Sequence, residues 1–191
     1  MDSELIEIRW HGRGGQGAVT SAELIAQAAI AEGKFAQGFP SFGPERRGAP
    51  VMAYNRINQH HPIRNRAGIT QPDVVVVLDP SLLAIGKVTS GLKDGGTVVI
   101  NTSKAIEAFP ELSERWNVAI IDATRIAREE LGVPIVNTTM LGALLKATGA
   151  IDISAMTEPL KGRFGRLADK NIKALKRAFE ETQVKELKTV G

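Results

Sequence analysis

The residues best suited to do chemistry are Gly12, Arg13, Gly14, Gly15, Gln16 and Gly17, which join an apolar strand pattern to a helix-forming run. Ile6, Ile8 and Trp10 alternate ahead of them, and helical composition runs from Ala18 to Glu32. A strand that turns through glycines into a helix aims the first helical N–H groups, which lack intrahelical acceptors, at whatever lies beyond the loop. The helix dipole favours negative charge there, so the expected chemistry is the binding of a phosphate or another anion. Gly12, Gly14 and Gly17 also satisfy G-x-G-x-x-G, the dinucleotide spacing. A nicotinamide site further needs an acid about 20 residues on, at the end of the second strand, to hold the ribose hydroxyls. That stretch reads Lys34-Phe35-Ala36-Gln37-Gly38, and Glu32 falls at the helix end, so the dinucleotide pattern is half present. Arg13 and Gln16 put a cation and an amide in the loop, which a merely structural turn does not require.

Other candidates each carry two readings. Arg46-Arg47, held between Pro44 and Gly48-Ala49-Pro50, is either a solvated or subunit-contact charge pair or a pair of ligand-binding cations. Phe39 and Phe42 either anchor their loop in the core or form a docking patch. Asp79 and Asp122 end apolar runs, where ligands bind in open α/β sheets, but Asp there also caps the following helix. Asn137-Thr138-Thr139 reads first as the N-cap of a helix from Met140 and second as amide and hydroxyl donors. His11, His60 and His61 lack metal-ligand spacing; His11 is expected to satisfy a strand-end hydrogen bond, and no catalytic base is assigned.

Strand and helix signals alternate along the chain, which argues for an α/β layer fold. The β-branched run Asp73 to Pro80 reads as a parallel strand buried on both faces, and Thr97 to Ile100 and Asn117 to Asp122 repeat the pattern. Val51 to Ile57 alternates as a strand. Helices are expected at Ala123 to Leu131, Met140 to Thr148 and about Asp169 to Leu187, the last with Ile172, Leu175, Ala178 and Phe179 on one stripe. Phe35 to Pro50 is dense in Gly and Pro and reads as a long functional loop. Asp94-Gly95-Gly96 reads as a turn. The expectation is a single Rossmann-like domain over residues 1–191, with three α/β/α layers and a mainly parallel or mixed sheet.

Composition narrows the chemistry. With no cysteine the chain cannot hold a Cys-ligated iron–sulfur cluster, a zinc–thiolate site or a thiol nucleophile. A net charge of +3 without basic clusters does not suggest nucleic-acid binding. No signal-peptide pattern or membrane-spanning run is read, so a cytoplasmic chain with no membrane contact is expected.

Gly12-Arg13-Gly14-Gly15-Gln16-Gly17, together with Phe39-Pro40-Ser41-Phe42-Gly43-Pro44-Glu45-Arg46-Arg47-Gly48-Ala49-Pro50, resembles the gamma subunits of the 2-oxoacid:ferredoxin oxidoreductases, the pyruvate synthase type above all. Asn137-Thr138-Thr139-Met140-Leu141-Gly142-Ala143 and Lys161-Gly162-Arg163-Phe164 extend the resemblance over nearly the whole chain, Ile6 to about Phe179. It implies a complex in which pyruvate, coenzyme A and oxidised ferredoxin give acetyl-CoA, carbon dioxide and reduced ferredoxin. Thiamine diphosphate, magnesium and iron–sulfur clusters then belong to partner subunits, termed alpha, beta and delta, and ferredoxin is met through the complex. What is left for this chain is assembly and part of the coenzyme A region, without activity alone. The diphosphate and 3′-phosphate of coenzyme A suit a helix N-terminus and guanidinium groups. Gly12, Gly14, Gly15, Gly17, Arg13, Gln16, Arg46, Arg47, Asn137, Thr138 and Arg163 are the residues expected to supply them. A branched-chain, 2-oxoglutarate or indolepyruvate complex, or a free-standing dinucleotide-binding oxidoreductase, remain the alternatives.

Overall fold

In the first strand, β1 (Leu5–Arg13), the alternating pattern sends Ile8 and Trp10 into the core and runs on through His11 and Gly12. The computed structural model describes residues 5–41, 48–85 and 87–187. After the glycines comes α1 (Ala18–Ala31), whose small residues Ala22, Ala28 and Ala29 let it lie close on the sheet. The strands that follow are β2 (Phe35–Pro40), β3 (Pro50–Asn58), β4 (Val74–Val77), β5 (Thr97–Asn101) and β6 (Asn117–Ile121), with β7 (Gln183–Lys185) near the end of the described chain. The helices are α2 (Leu82–Ile85), α3 (Pro110–Ser113), α4 (Ala123–Leu131), α5 (Asn137–Thr148), α6 (Thr157–Phe164) and α7 (Ala168–Glu181).

The strands form one sheet in the order β2-β3-β1-β4-β5-β6-β7. β1, β4, β5 and β6 are parallel, whereas β3, β2 and β7 each pair antiparallel with their neighbours. The expected parallel centre is therefore present, and the mixed character lies at the margins. Val74 and Val76 point into the larger core, under α1, α4, α5 and α7. Val75 and Val77 point into a smaller one built with Leu82, Phe109 and Trp116. The second helical layer is thin, since α2 and α3 are single turns. A buried hydrogen-bond chain ties the large layer to the sheet: Trp10 Nε1 donates to Asn55 Oδ1 at 2.8 Å, and Asn55 Nδ2 donates to the Ala22 carbonyl at 2.7 Å.

Three expectations change. Phe35–Pro40, expected as loop, is an edge strand; an edge tolerates Pro40, whose missing N–H a central ladder would require. The α5 helix starts at Asn137, because the Val136 carbonyl already accepts from Met140 N at 2.9 Å, so Asn137 lies inside the first turn and is not its cap. The last helix stops at Glu181, where Thr182 turns extended (ψ 124°) and delivers β7 to β6. The α4 helix matches its expected bounds, with Asp122 accepting from Arg125 N and Gly132 ending it.

From β1 the chain goes first to β2 and β3 on one side and only later to β4 on the other. The carboxyl ends of β1 and β4 thus border the point where strand order reverses, the usual ligand crevice of open α/β sheets.

Candidate functional site

The glycine loop leaves β1 at Arg13 and is closed by Gln16. The Gln16 side-chain oxygen accepts from Arg13 N at 2.7 Å, and Gln16 N donates to the Arg13 carbonyl at 3.0 Å. Gly14 N donates to the Ala49 carbonyl at 2.9 Å, pinning the loop to the start of β3. Gly17 caps α1 in the left-handed region, with φ 83°. A side chain is excluded there on two grounds: the backbone conformation, and a Cβ that would lie 2.9 Å from Asn137 Cβ.

That contact brings two helix N-termini together. Neither α1 nor α5 has a side-chain cap. The Ser21 hydroxyl is shared between the Gly17 and Asn137 carbonyls at 3.1 and 3.3 Å, knitting the two first turns. Asn137 is 5% exposed; its Oδ1 accepts from Thr138 N at 2.9 Å, and its Nδ2 has no acceptor among the described residues. Nδ2 lies beside Gly17, 3.1 Å from where a Cβ would stand. The Thr138 hydroxyl is committed to Asn171 Oδ1 at 2.9 Å, and Asn171 Nδ2 to the Leu167 carbonyl at 2.9 Å. Exposed Arg163 reaches the first turn of α1, its guanidinium 3.4 Å from Thr20 Oγ1. First-turn N–H groups of α1, the free Asn137 Nδ2 beside them and a cation at the rim are donors of the kind that can hold an anion.

Arg13 and Gln16 hold the loop rather than its mouth. Arg13 Nε donates to Asp79 Oδ2 at 3.0 Å, and its two terminal nitrogens donate to the Gly48 carbonyl and Ser81 Oγ at 3.1 and 2.9 Å. Gln16 Nε2 donates to the same Asp79 oxygen at 3.1 Å, while Asp79 Oδ1 accepts from Ser81 N and Oγ. Burial alone would raise the Asp79 carboxyl; the hydrogen bonds from Ser81 and Gln16 and the nearby Arg13 outweigh it and hold it below the usual carboxylate value. Asp79 is thus the anchor of the loop. Its Asx turn to Ser81 was readable from Asp79-Pro80-Ser81, but its pairing with Arg13 was not.

The structure therefore gathers Gly12, Gly14, Gly15, Gly17, Arg13, Gln16, Asn137, Thr138 and Arg163 at one place, and Ser21, Thr20, Ser81 and Asn171 join them unanticipated. Arg46, Arg47 and Phe42 lie outside the described residues. Phe39 is half-buried, its ring 5.3 Å from Tyr54 and 5.6 Å from the Arg56 guanidinium carbon. Glu32 is spent on Lys34 at 2.8 Å and on Asp152 N at 2.6 Å, far from any ribose role at a strand end. Buried His11 accepts from Arg9 Nε at 3.0 Å, and burial together with Arg9 lowers its pKa to about 4. Among the described residues no cluster of three or more His, Asp or Glu side chains is placed to hold a metal ion. None of the described helices is long and apolar enough to cross a membrane.

The protein-family model described as pyruvate ferredoxin/flavodoxin oxidoreductase matches residues 7–181. The chain is 55% identical over 186 residues to the pyruvate/ketoisovalerate oxidoreductases common subunit gamma of Thermococcus litoralis, spanning 96% of this chain and 100% of that one. With the pyruvate synthase subunit PorC of Methanothermobacter marburgensis it shares 51% identity over 178 residues, 93% of this chain and 97% of the relative. Among solved structures, the pyruvate oxidoreductase subunit PORC of Thermotoga maritima is similar with a TM-score of 0.85 at 38% identity, covering 96% of this chain and 100% of that chain.

Proposed function

The chain belongs to the pyruvate ferredoxin/flavodoxin oxidoreductase family, and we propose that it serves as the gamma subunit of a cytoplasmic pyruvate:ferredoxin oxidoreductase, holding coenzyme A while partner chains do the redox chemistry. The observation that carries this reading is the meeting of two uncapped helix N-termini, α1 and α5, around the unpartnered Asn137 amide. The diphosphate of coenzyme A fits that receptor by charge and by its number of acceptor oxygens. The backbone from Gly14 to Gly17 approaches it, Asn137 donates to it and Arg163 closes the rim. Arg13 and Gln16 act on it through Asp79, and Thr138 through Asn171. Arg46 and Arg47, which the sequence places between β2 and β3, supply two further cations.

Iron–sulfur clusters belong on partner subunits, because a chain without cysteine offers them no thiolate. Thiamine diphosphate and its magnesium belong there too, with Asp94-Gly95 forming a turn ahead of β5. Alpha, beta and delta chains are the partners this reading requires, and ferredoxin is reached through them.

The test is reconstitution. The purified chain alone is expected to show no pyruvate-dependent reduction of ferredoxin, and to restore it when mixed with alpha, beta and delta chains. In that complex Asn137→Ala is expected to raise KM for coenzyme A about tenfold, the loss of one charge-assisted hydrogen bond, with little change in kcat. A chain that stays alone and saturates with micromolar NADH would overturn the reading in favour of a free-standing dinucleotide enzyme. A gamma subunit shared with a branched-chain 2-oxoacid complex is the second reading, favoured by relatives that are common subunits of pyruvate and ketoisovalerate oxidoreductases. Rates of each assembled complex with each oxoacid decide between them.

A further inference from the structure

On one side the sheet ends at β2, whose only neighbour in it is β3. The phase of their ladder decides which groups stand on the open edge. Ser41 N donates to the Met52 carbonyl at 2.9 Å, so in the antiparallel register Phe35, Gln37 and Phe39 spend their backbone groups on β3. The alternate residues Ala36 and Gly38 turn their N–H and C=O groups outward, where they make no hydrogen bond among the described residues. Pro40 falls in the same outward phase, so its missing N–H takes nothing from the β2–β3 pairing and closes the open stretch. Unpaired backbone groups in strand geometry are a template for another strand.

The side chains of Gln37 and Phe39 lie on the sheet face opposite α1. A loop is tied alongside them: Gln37 Nε2 donates to the Ile63 carbonyl at 2.8 Å, and Arg56 Nη1 to the Asn65 carbonyl at 3.1 Å. Between loop and strand a cavity of about 320 Å³ stays open, lined by Gln37, Gly38, Phe39 and Arg66. Three consecutive strand residues on its wall set it against the edge of β2. Gln37 Oε1 is buried there without a donor among the described residues.

Charge selects what can lie on this edge. Residues 46–72 contain five arginines and no Asp or Glu, so this stretch is more positive than the whole chain, whose net charge is +3. Arg56 is committed to Glu7, whereas Arg64 and Arg66 are exposed and make no ion pair among the described residues. A second copy of the chain would set the same acid-free stretch against itself, and like charges across an edge repel. An acidic strand is complementary. We propose that the β2 edge takes up an extended acidic segment of a partner chain of the oxidoreductase complex, which joins the seven-stranded sheet as a further strand. Its backbone pairs with Ala36 and Gly38, one of its carboxylates meets Arg66, and the stem of that side chain covers the Phe39 ring. This rests on the reading of the chain as a subunit, but on none of the glycine-loop residues.

The experiment is amide hydrogen exchange on the free chain and on the complex reconstituted with alpha, beta and delta chains. The Ala36 and Gly38 amides are expected to exchange fast in the free chain and to slow at least about tenfold on assembly, whereas those of Gln37 and Phe39, already paired with β3, are slow in both. Arg64→Glu/Arg66→Glu, altered only at exposed side chains, is expected to weaken association about tenfold at low salt, and the difference from wild type should shrink as salt is added. A chain that assembles while Ala36 and Gly38 stay fast overturns the edge assignment and leaves the subunit reading intact. A chain that associates with none of the partners defeats the subunit reading itself. Slow exchange of both amides in the chain alone, lost on dilution, would make the edge a contact between copies and overturn the proposal. So would a double variant that assembles with unchanged affinity, because the incoming strand would then not be acidic.

Discussion

Arg9 is a buried guanidinium that makes no ion pair among the described residues. Its charge is solvated by carbonyls instead: one terminal nitrogen donates to Val88 and Ser90 at 2.9 and 2.6 Å, and the other to Ile69 at 3.4 Å. Its Nε donates to His11 Nε2, which can accept only while the imidazole is neutral. Burial first, and Arg9 second, lower the His11 pKa from 6.5 to about 4. Between those values the unfolded chain takes up a proton that the folded chain refuses, so unfolding is favoured as pH falls. The stabilisation is complete above about pH 6.5 and is lost progressively toward pH 4, by about 3 kcal/mol at most. Urea midpoints at pH 7.5 and 4.5 should show this loss, and His11→Gln, which can still accept from Arg9 but does not titrate, should remove most of it. An equal loss in the variant would assign the pH dependence to carboxylates elsewhere. At this scale sequence reasoning located the donors but not their partners. His11 was readable as satisfied by a hydrogen bond, and Gly12 to Gly17 as the turn that carries β1 into α1. The uses of Arg13 and Gln16 depend on Asp79, which lies 66 and 63 residues away and which no local pattern links to them.

Elements were legible where the pattern was long and lay inside the sheet. Four consecutive valines in β4 can only be a strand covered on both faces, and that is where they lie. The margins were not legible, because an edge strand need not avoid proline and β7 has only three exposed residues to announce it. The start of α5 was missed for a related reason: Asn137 looks like a cap, but tertiary packing puts it one residue inside, where its amide faces Gly17. The crossing of α5 with α7 gives a test at this scale. A Cβ on Gly142 would run into the Leu175 carbonyl, the backbone of the facing helix. Alanine is a better helix former than glycine by about 1 kcal/mol, so propensity alone predicts that Gly142→Ala stabilises. The steric conflict falls on backbone, which cannot rotate aside, and overpacking of a filled core typically amounts to about 1–3 kcal/mol. Gly142→Ala should therefore lower Tm, and Gly142→Val should lower it further. A higher Tm for the alanine variant would mean that α5 and α7 separate easily and that their contact tolerates slack.

Over the whole molecule, the two ends of the sheet are built for different tasks. At the amino ends of β1 and β4, Glu7 pairs with Arg56 at 2.8 Å and Asp73 with Lys93 at 2.8 Å, so charge there is matched within the chain. At the carboxyl ends stand the first turns of α1 and α5 together with Arg163, Lys104 and Arg128, cations that make no ion pair among the described residues, beside the point where strand order reverses. Behind the open end, α4 and α7 are tied by a network rather than by single pairs. Arg177 meets Glu130, Glu129 and Glu181 at 2.9, 2.6 and 2.6 Å; Lys173 adds a bond to Glu130, and Arg125 adds bonds to Glu129 and Glu181. The hydrogen bonds that Arg177 donates to Glu181, Glu130 and Glu129 raise its pKa, so the hub stays charged at any working pH. Exposed pairs contribute little at 25 °C, since water screens them and long side chains must be ordered to make them. The penalty for stripping water from charges falls with temperature, and a network shares its ordering cost over several contacts, so its share of stability grows on heating. Arg177→Met keeps the apolar stem and removes the hub. It should shift the urea midpoint little at 25 °C but lower Tm clearly, and the difference in Tm from wild type should shrink in 1 M salt. An equal shift at both temperatures, insensitive to salt, would mean that Arg177 holds α4 and α7 together by packing along its stem and not by its charge.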